Sequence, residues 1–404
     1  METRDRGRYR ALVLLSIALV LGMTTWFSAS AVIPQLRAEW DLSTGVASWL
    51  TIAVQLGFVA GALLSSIFNL SDILAPRRVI LLGSLGAAGV NLLLVWASGP
   101  GLGIPLRFAT GFFLAGVYPP ALKLMSTWFQ RGRGTALGIL VGAITLGSAA
   151  PHLVNGLGGL DWKIVIVTTS LLTALGGILV VARIDDGPFP FPRAVFDPRK
   201  ASLVLHDRGV RLACLGYFGH MWELYAMWAW FIVFFSDSLT ERGSSFGPAT
   251  AAYGTFLVIG IGGLGCWLGG VLGDRWGRTN TTATMMAISG TASILIGFVF
   301  GGPTWLTLLV GSIWGFTVVA DSAQFSTMVT ELADQAYVGT ALTLQLAIGF
   351  TLTVATIWLM PFLEDHYSWR WAFAFLAPGP ALGAWAMLRL KHSPAARHIA
   401  GGLG

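Results

Sequence analysis

Of the 404 residues, 55% are hydrophobic and 11% charged, whereas a soluble domain carries about a quarter charged residues; an ordinary water-soluble enzyme or binding module is excluded, and most of the surface must face lipid. The net charge of +6 does not point to nucleic acid, because the basic residues fall between apolar runs in the manner of membrane topology. Cys214 and Cys266 both lie inside apolar runs, which leaves neither a disulfide framework nor zinc-ligand spacing.

A helix that crosses the bilayer needs about 20 apolar residues, and twelve such runs follow one another. Arg4, Arg6, Arg8 and Arg10 precede the first, roughly 11–35, which is too long for the core of a cleaved leader and reads as span one. Span two (roughly 44–68) carries Gln55 and ends in the turn Phe68-Asn-Leu-Ser-Asp72-Ile-Leu-Ala-Pro-Arg77-Arg78. Span three (78–97) holds Asn91, which like Gln55 suits a bond between helices. Span four (102–123) carries Arg107 and then Tyr118-Pro119-Pro120, where the prolines free carbonyls and kink the helix, a feature tolerated beside a cavity. Span five (134–156) has Gly138, Gly142 and Gly147, small residues that let a neighbour approach closely, and then Pro151 as a further kink. His152 and Asn155 follow and suit either the lining of an outer path or plain packing. Span six (163–183) completes residues 1–183, the first predicted bundle.

Residues 184–209 form a polar linker. Asp185-Asp186-Gly-Pro-Phe-Pro-Phe-Pro cannot hold a helix, and the basic stretch after it suits an interfacial helix. The second predicted bundle, 210–404, opens with span seven (210–236). His220 there lies nine residues beyond Arg211, about 13 Å along the axis and so near mid-membrane. Glu223 follows at i+3 on the same face, and Met227 and Trp230 continue that stripe. Trp222, Trp228 and Trp230 are too deep and too dense for an interfacial belt alone and suit a cavity wall. Span eight (247–272) ends in Gly270-Val-Leu-Gly-Asp274-Arg275-Trp-Gly277-Arg278. Span nine covers 280–300. Span ten (304–328) carries Asp321 and Gln324, again three apart. Glu331 and Asp334 follow without a base, and spans eleven (338–361) and twelve (370–390) end the series.

With the N-terminus in the cytoplasm, twenty of the 25 lysines and arginines fall on cytoplasmic segments, which also puts the linker and the C-terminal end inside. Asp72 and Asp274 are 202 residues apart, half the chain, and each sits in a short turn followed by basic residues. The plan is therefore six helices plus six, repeated about an axis along the membrane normal.

These turns resemble the signature loop of the major facilitator superfamily: strongly in Gly270…Asp274-Arg275…Gly277-Arg278, and in worn form in Asp72…Arg77-Arg78, where Phe68 and Ile73 replace the usual glycine and base. Arg107-x-x-x-Gly111 resembles the superfamily's arginine motif on span four, and the stretch Trp128 to Gly138 is similar to its anion and cyanate-type permeases. The resemblance implies an all-α integral membrane fold of twelve helices in two pseudo-symmetric six-helix bundles. It also implies a functional monomer, with Asp72 and Asp274 as latches that pair with an arginine and a neighbouring helix N-terminus in one state. The arginines that nitrate porters of this superfamily place in spans two and eight are missing, so nitrate is not expected.

The expected function is secondary active transport by alternating access, proton-coupled because His220 and Glu223 are the obvious titratable pair. Arg107 and His220 lean toward a small organic or inorganic anion, since a guanidinium facing a cavity suits one; Arg107 could equally pair with Glu223 or another buried acid. Asp321 suits a cation partner, a solute contact or a helix break. The alternative is an exporter of drugs or lipophilic compounds, with tryptophans and methionines as a permissive wall. A metal carrier using His152, His220, Glu223 and Asp321, or a receptor that does not transport, comes third. No phosphate-cradling Gly-x4-Gly-Lys-Ser/Thr loop and no His-Glu-x-x-His motif occurs, so neither ATP hydrolysis nor an intramembrane enzyme is expected, and no cofactor or resident metal. The compact loops suit a bacterial inner membrane.

Overall fold

The computed structural model describes the chain apart from residues 1, 69, 71–73, 130–131, 158–160, 190–196, 201–203, 205, 245–246 and 335–336. The described residues are helical, with no strand among them. Span one runs as Glu2–Gly22, breaks over residues 23–29, and resumes through the short turn Ser30–Val32 into Ile33–Trp40. Span two is Thr44–Ile67, span three Pro76–Leu93, span five Arg133–Leu157, span six Trp162–Arg183, span seven Arg208–Glu241 and span nine Arg278–Phe298. Three further spans are interrupted: span four as Pro100–Leu114 and Tyr118–Ser126, span eight as Pro248–Gly260 and Gly262–Trp276, span ten as Thr304–Ala320 and Ser322–Leu332. Spans eleven and twelve fall in Val338–Ala372 and Pro378–Lys391, with the corner between them at Ser368, whose φ is 58°.

Nine helices among the described residues are long and apolar enough to cross a membrane, and one of these runs, Val338–Lys391, contains the Ser368 corner and crosses twice. Spans one and seven complete the twelve: the first is charged at its start and broken in its middle, and the second is rich in indoles and polar groups. Local chemistry explains where several helices begin. Ser43, Asp161 and Asp207 each accept a backbone N–H in the first turn of spans two, six and seven. Prolines open spans three, four, eight and the last helix, where a missing N–H costs nothing.

Backbone contact through glycine organises the packing. A Cβ at Gly57 would sit 1.9 Å from the Phe108 carbonyl oxygen, so spans two and four touch main chain to main chain; Gly269 against the Ala320 carbonyl does the same for spans eight and ten, at 1.9 Å. The same device joins the first six helices to the last six. Gly138 of span five faces the Cys266 carbonyl, and Gly142 faces Gly263, with would-be Cβ distances of 2.9 and 2.7 Å. Span two packs against span eleven at the other seam between the halves.

Candidate functional site between and beside the two halves

Seven aromatic rings meet where the halves join. The break in span one supplies Trp26 and Phe27, span two Phe58, span four Tyr118, span seven Tyr225 and Trp228, and span eleven Phe350. Phe58 and Phe350 lie 4.7 Å apart between centroids, Trp26 stands 4.8 Å from Phe58 and 5.7 Å from Phe350, and Tyr225 is within 6.0 Å of Trp26, Phe27, Trp228 and Phe350. Six of the seven are buried and Tyr118 is half-buried. Tyr118 is held there because span four is broken before it; Pro119 and Pro120 then occupy the first turn of the second segment, so the expected kink is a clean break. Pro151 lies inside the span-five helix.

Arg107 is fully buried and does not pair with Glu223. Its Nε donates to the Leu50 carbonyl at 3.3 Å, Nη1 to the Thr25 carbonyl, Ser28 Oγ and Asn91 Oδ1 at 3.0, 3.1 and 2.8 Å, and Nη2 to the Trp26 carbonyl at 2.5 Å. All three nitrogens thus bind neutral oxygens inside the first six helices, and the acceptors at Thr25 and Trp26 are freed by the break in span one. The expectation of a guanidinium facing a cavity is corrected: an interrupted helix needs donors for its loose carbonyls, and arginine's fork supplies several at once. Asn91 acts between helices, also donating to Ser170 Oγ at 3.0 Å.

The last six helices hold the buried acids. His220 Nδ1 stands 2.9 Å from Asp321 Oδ1, and its Nε2 is 2.9 Å from Ser322 Oγ. Asp321 sits at the interruption of span ten, so the helix break expected for it is found there, with His220 as its partner. Glu223 is turned elsewhere, accepting from Trp314 Nε1 at 2.8 Å and Ser289 Oγ at 2.9 Å, between spans nine and ten. His220 and Glu223 share a face of span seven but have separate partners. Trp314 and Ser289 were not singled out in the sequence, where each is one polar atom in an apolar run. Trp230 does not line the ring cluster; its Nε1 donates to the Ile357 carbonyl at 3.0 Å. Pro361, four residues on, has no N–H to offer that carbonyl, so the indole replaces the missing bond. Among the described residues no group of three or more His, Cys, Asp or Glu side chains is placed to hold a metal ion.

On the face where the basic turns lie, Asp274 meets the first turn of span five. Its Oδ2 accepts from Thr135 Oγ1 at 3.2 Å, and Gly134 is so close that a Cβ there would stand 2.7 Å from Oδ1. Gly270, one turn earlier, lies against the same segment, at 3.4 Å from the Gly134 carbonyl oxygen by the same measure. Arg278 binds Asp274 at 3.4 Å, Gln324 Oε1 at 2.9 Å and Glu331 through two nitrogens, the shorter contacts being 3.0 Å. Gln324 also donates to the Gly269 carbonyl at 3.2 Å, so it belongs to this network and not to the ring cluster. Glu331, the acid whose loop has no base, is the counter-ion of Arg278; its unbalanced charge was the signal. Gly277 turns the chain at a φ of 95°, a conformation suited to glycine, and Arg275 is exposed. Asp72 lies outside the described residues. Arg77 reaches the linker, donating to the Ile184 carbonyl at 3.0 Å and to Asp185 at 3.3 Å, while Arg78 is exposed.

Residues 15–356 match the sequence description of the Major Facilitator Superfamily. The chain belongs to that superfamily. It is a transporter of this family and not an enzyme, and its twelve-helix fold is the superfamily's. Among solved structures, a D-xylose-proton symporter superposes with a TM-score of 0.73 at 14% identity, covering 96% of this chain and 99% of the other, a likeness of fold alone. Curated relatives include an uncharacterized transporter of Saccharomyces cerevisiae (24% identical over 55% of this chain), the puromycin resistance protein of Streptomyces alboniger (31% over 39%) and a multidrug efflux pump of Mycolicibacterium smegmatis (29% over 45%). The matches span 34%, 32% and 37% of those relatives' own lengths. As a superfamily member the protein is integral to a membrane, and its seam between halves is where the seven rings gather.

Proposed function

We propose that this superfamily member is a proton-coupled antiporter of lipophilic, ring-bearing compounds, with residues 1–183 and 210–404 rocking as two units about the ring cluster. The observation that carries the reading is that both halves contribute to one buried aromatic cluster, Trp26, Phe27, Phe58 and Tyr118 from one and Tyr225, Trp228 and Phe350 from the other. Stacking and apolar burial are what such walls offer a solute. Two relatives named for drug resistance and efflux support the same class. The small-anion reading rested on Arg107, His220 and the stretch Trp128 to Gly138; every nitrogen of the Arg107 side chain is engaged within its own half, and His220 is held by Asp321 and Ser322.

Glu223 and the His220–Asp321 pair are the proton-handling groups in this reading, being buried ionisable side chains within spans seven and ten. Asp274 is the latch, closing one state by its contacts with span five. The protein works as a monomer in a bacterial inner membrane with both termini in the cytoplasm, in keeping with the distribution of lysine and arginine.

The test uses purified protein in liposomes with a trapped pH-sensitive dye, challenged with tetraphenylphosphonium, neutral aromatic dyes and small anions. Ring compounds should trigger proton movement, and Glu223→Gln should abolish it while solute counterflow persists. Proton movement with nitrate- or formate-sized anions and with none of the ring compounds would sink the proposal in favour of the anion. Normal uphill transport in Glu223→Gln would remove that carboxylate from coupling.

A further inference from the structure

Several polar atoms on and around the rings have no partner among the described residues. Trp26 Nε1, Trp228 Nε1, both amide atoms of Gln55, Gln345 Nε2 and both ring nitrogens of His152 are buried without a hydrogen-bond partner among the described residues. Each of these side chains is at most 3% exposed. Four of the five belong near the cluster by contact or register. The Trp26 and Trp228 rings pack on Tyr225 at 6.0 and 5.6 Å, Gln55 precedes Phe58 by three residues on one face of span two, and His152 lies one turn before Asn155, whose amide donates to the Ala31 carbonyl just beyond the break in span one. An indole N–H can only donate. A buried donor left unpaired costs free energy, so a pair of them beside a ring stack marks where acceptors arrive.

Among the described residues no buried carboxylate is left to receive a cation: Glu223 is matched to Trp314 and Ser289 and Asp321 to His220, while Arg107 is engaged by carbonyls and the unpartnered His152 offers ring nitrogens only. We infer that the solute is a neutral, flat aromatic compound bearing acceptor oxygens of the carbonyl or quinone type. Its ring plane lies in the Trp26–Phe58–Tyr225–Phe350 stack and its oxygens take the indole N–H groups of Trp26 and Trp228. The inference rests on the lipophilic-solute reading above and narrows it, against a lipophilic cation in particular.

The experiment compares two molecules of the same three-ring outline, 9,10-anthraquinone and anthracene, with tetraphenylphosphonium as the cation. Binding to the detergent-purified protein is read by fluorescence quenching. Anthraquinone should bind about ten-fold more tightly than anthracene, and Trp26→Phe and Trp228→Phe, which keep a ring and remove the donor, should each erode that ratio severalfold with anthracene unaffected. Either variant alone suffices if the other fails to fold. Equal binding of the two compounds, or a ratio unchanged in the Phe variants, overturns the inference. Transport of tetraphenylphosphonium with no preference for anthraquinone also overturns it while leaving the antiporter reading in place; no binding or movement of any ring compound overturns both.

Discussion

Arg107 shows how one side chain can hold a helix that the membrane would otherwise reject. In hydrocarbon each loose carbonyl costs several kcal/mol; the Trp26 carbonyl depends on this guanidinium, which also joins Ser28 on the Thr25 carbonyl. Arg107→Lys keeps the charge but has no planar fork to reach oxygens on three sides. It should lower the stability of the detergent-solubilised protein by about 2–4 kcal/mol, as the order of one or two buried bonds lost, seen as a fall in the thermal midpoint; an unchanged midpoint would show that water takes over the acceptors. The sequence made Arg107 visible as a rare intramembrane charge, yet not its partners. Spacing along a chain does not reveal which carbonyls a distant helix leaves open. The same limit hid the partners of Glu223, whereas Glu331 was legible as an acid lacking a base though not as the ligand of Arg278.

Among the elements, spans seven and eleven illustrate repair of a proline defect. If Trp230 Nε1 stands in for the bond that Pro361 denies to Ile357, then Trp230→Phe should destabilise by about 1–3 kcal/mol. Pro361→Ala should largely cancel that loss, because it restores a backbone donor to the same carbonyl. Additive effects in this double-mutant cycle would break the link. The Asp274 contact invites a test at the same scale. Its carboxylate lies at the start of span five, where a helix favours negative charge, and it accepts from Thr135. Asp274→Asn should slow transport severalfold while leaving solute affinity in detergent intact; a normal rate would reduce the turn to a topological role. The turn's resemblance to the superfamily's signature loop pointed to a contact of Asp274 with a neighbouring helix start, and Thr135 is that contact. Hydrophobic run length likewise gave away the crossings. The interruptions in spans one and eight were not legible, because glycine, serine and threonine inside an apolar run are common in continuous helices too, whereas Asp321 marked the one in span ten.

For the whole molecule the glycine seam between spans five and eight is the surface on which any rocking motion must work. Gly142 has no room for a Cβ, which would stand 2.7 Å from the Gly263 carbonyl oxygen. Gly142→Val should therefore bar the state seen here and abolish solute flux while the protein still folds and inserts. Crosslinking of cysteines placed at positions 135 and 270 should fall in that variant, and undiminished crosslinking with normal flux would show that the seam is not strained. Span one has a consequence for biogenesis. Ser28 can already serve the Thr25 carbonyl from within span one, but the Trp26 carbonyl takes its bond from Arg107, so span one cannot be released to lipid as a finished helix before residue 107 has been synthesised and inserted. A ribosome-bound chain stopped before span four should keep residues 23–29 reactive to water-soluble thiol reagents at single engineered cysteines. A chain stopped after span four should protect them, and protection before residue 107 emerges would mean that the break forms only later, from an initially continuous helix.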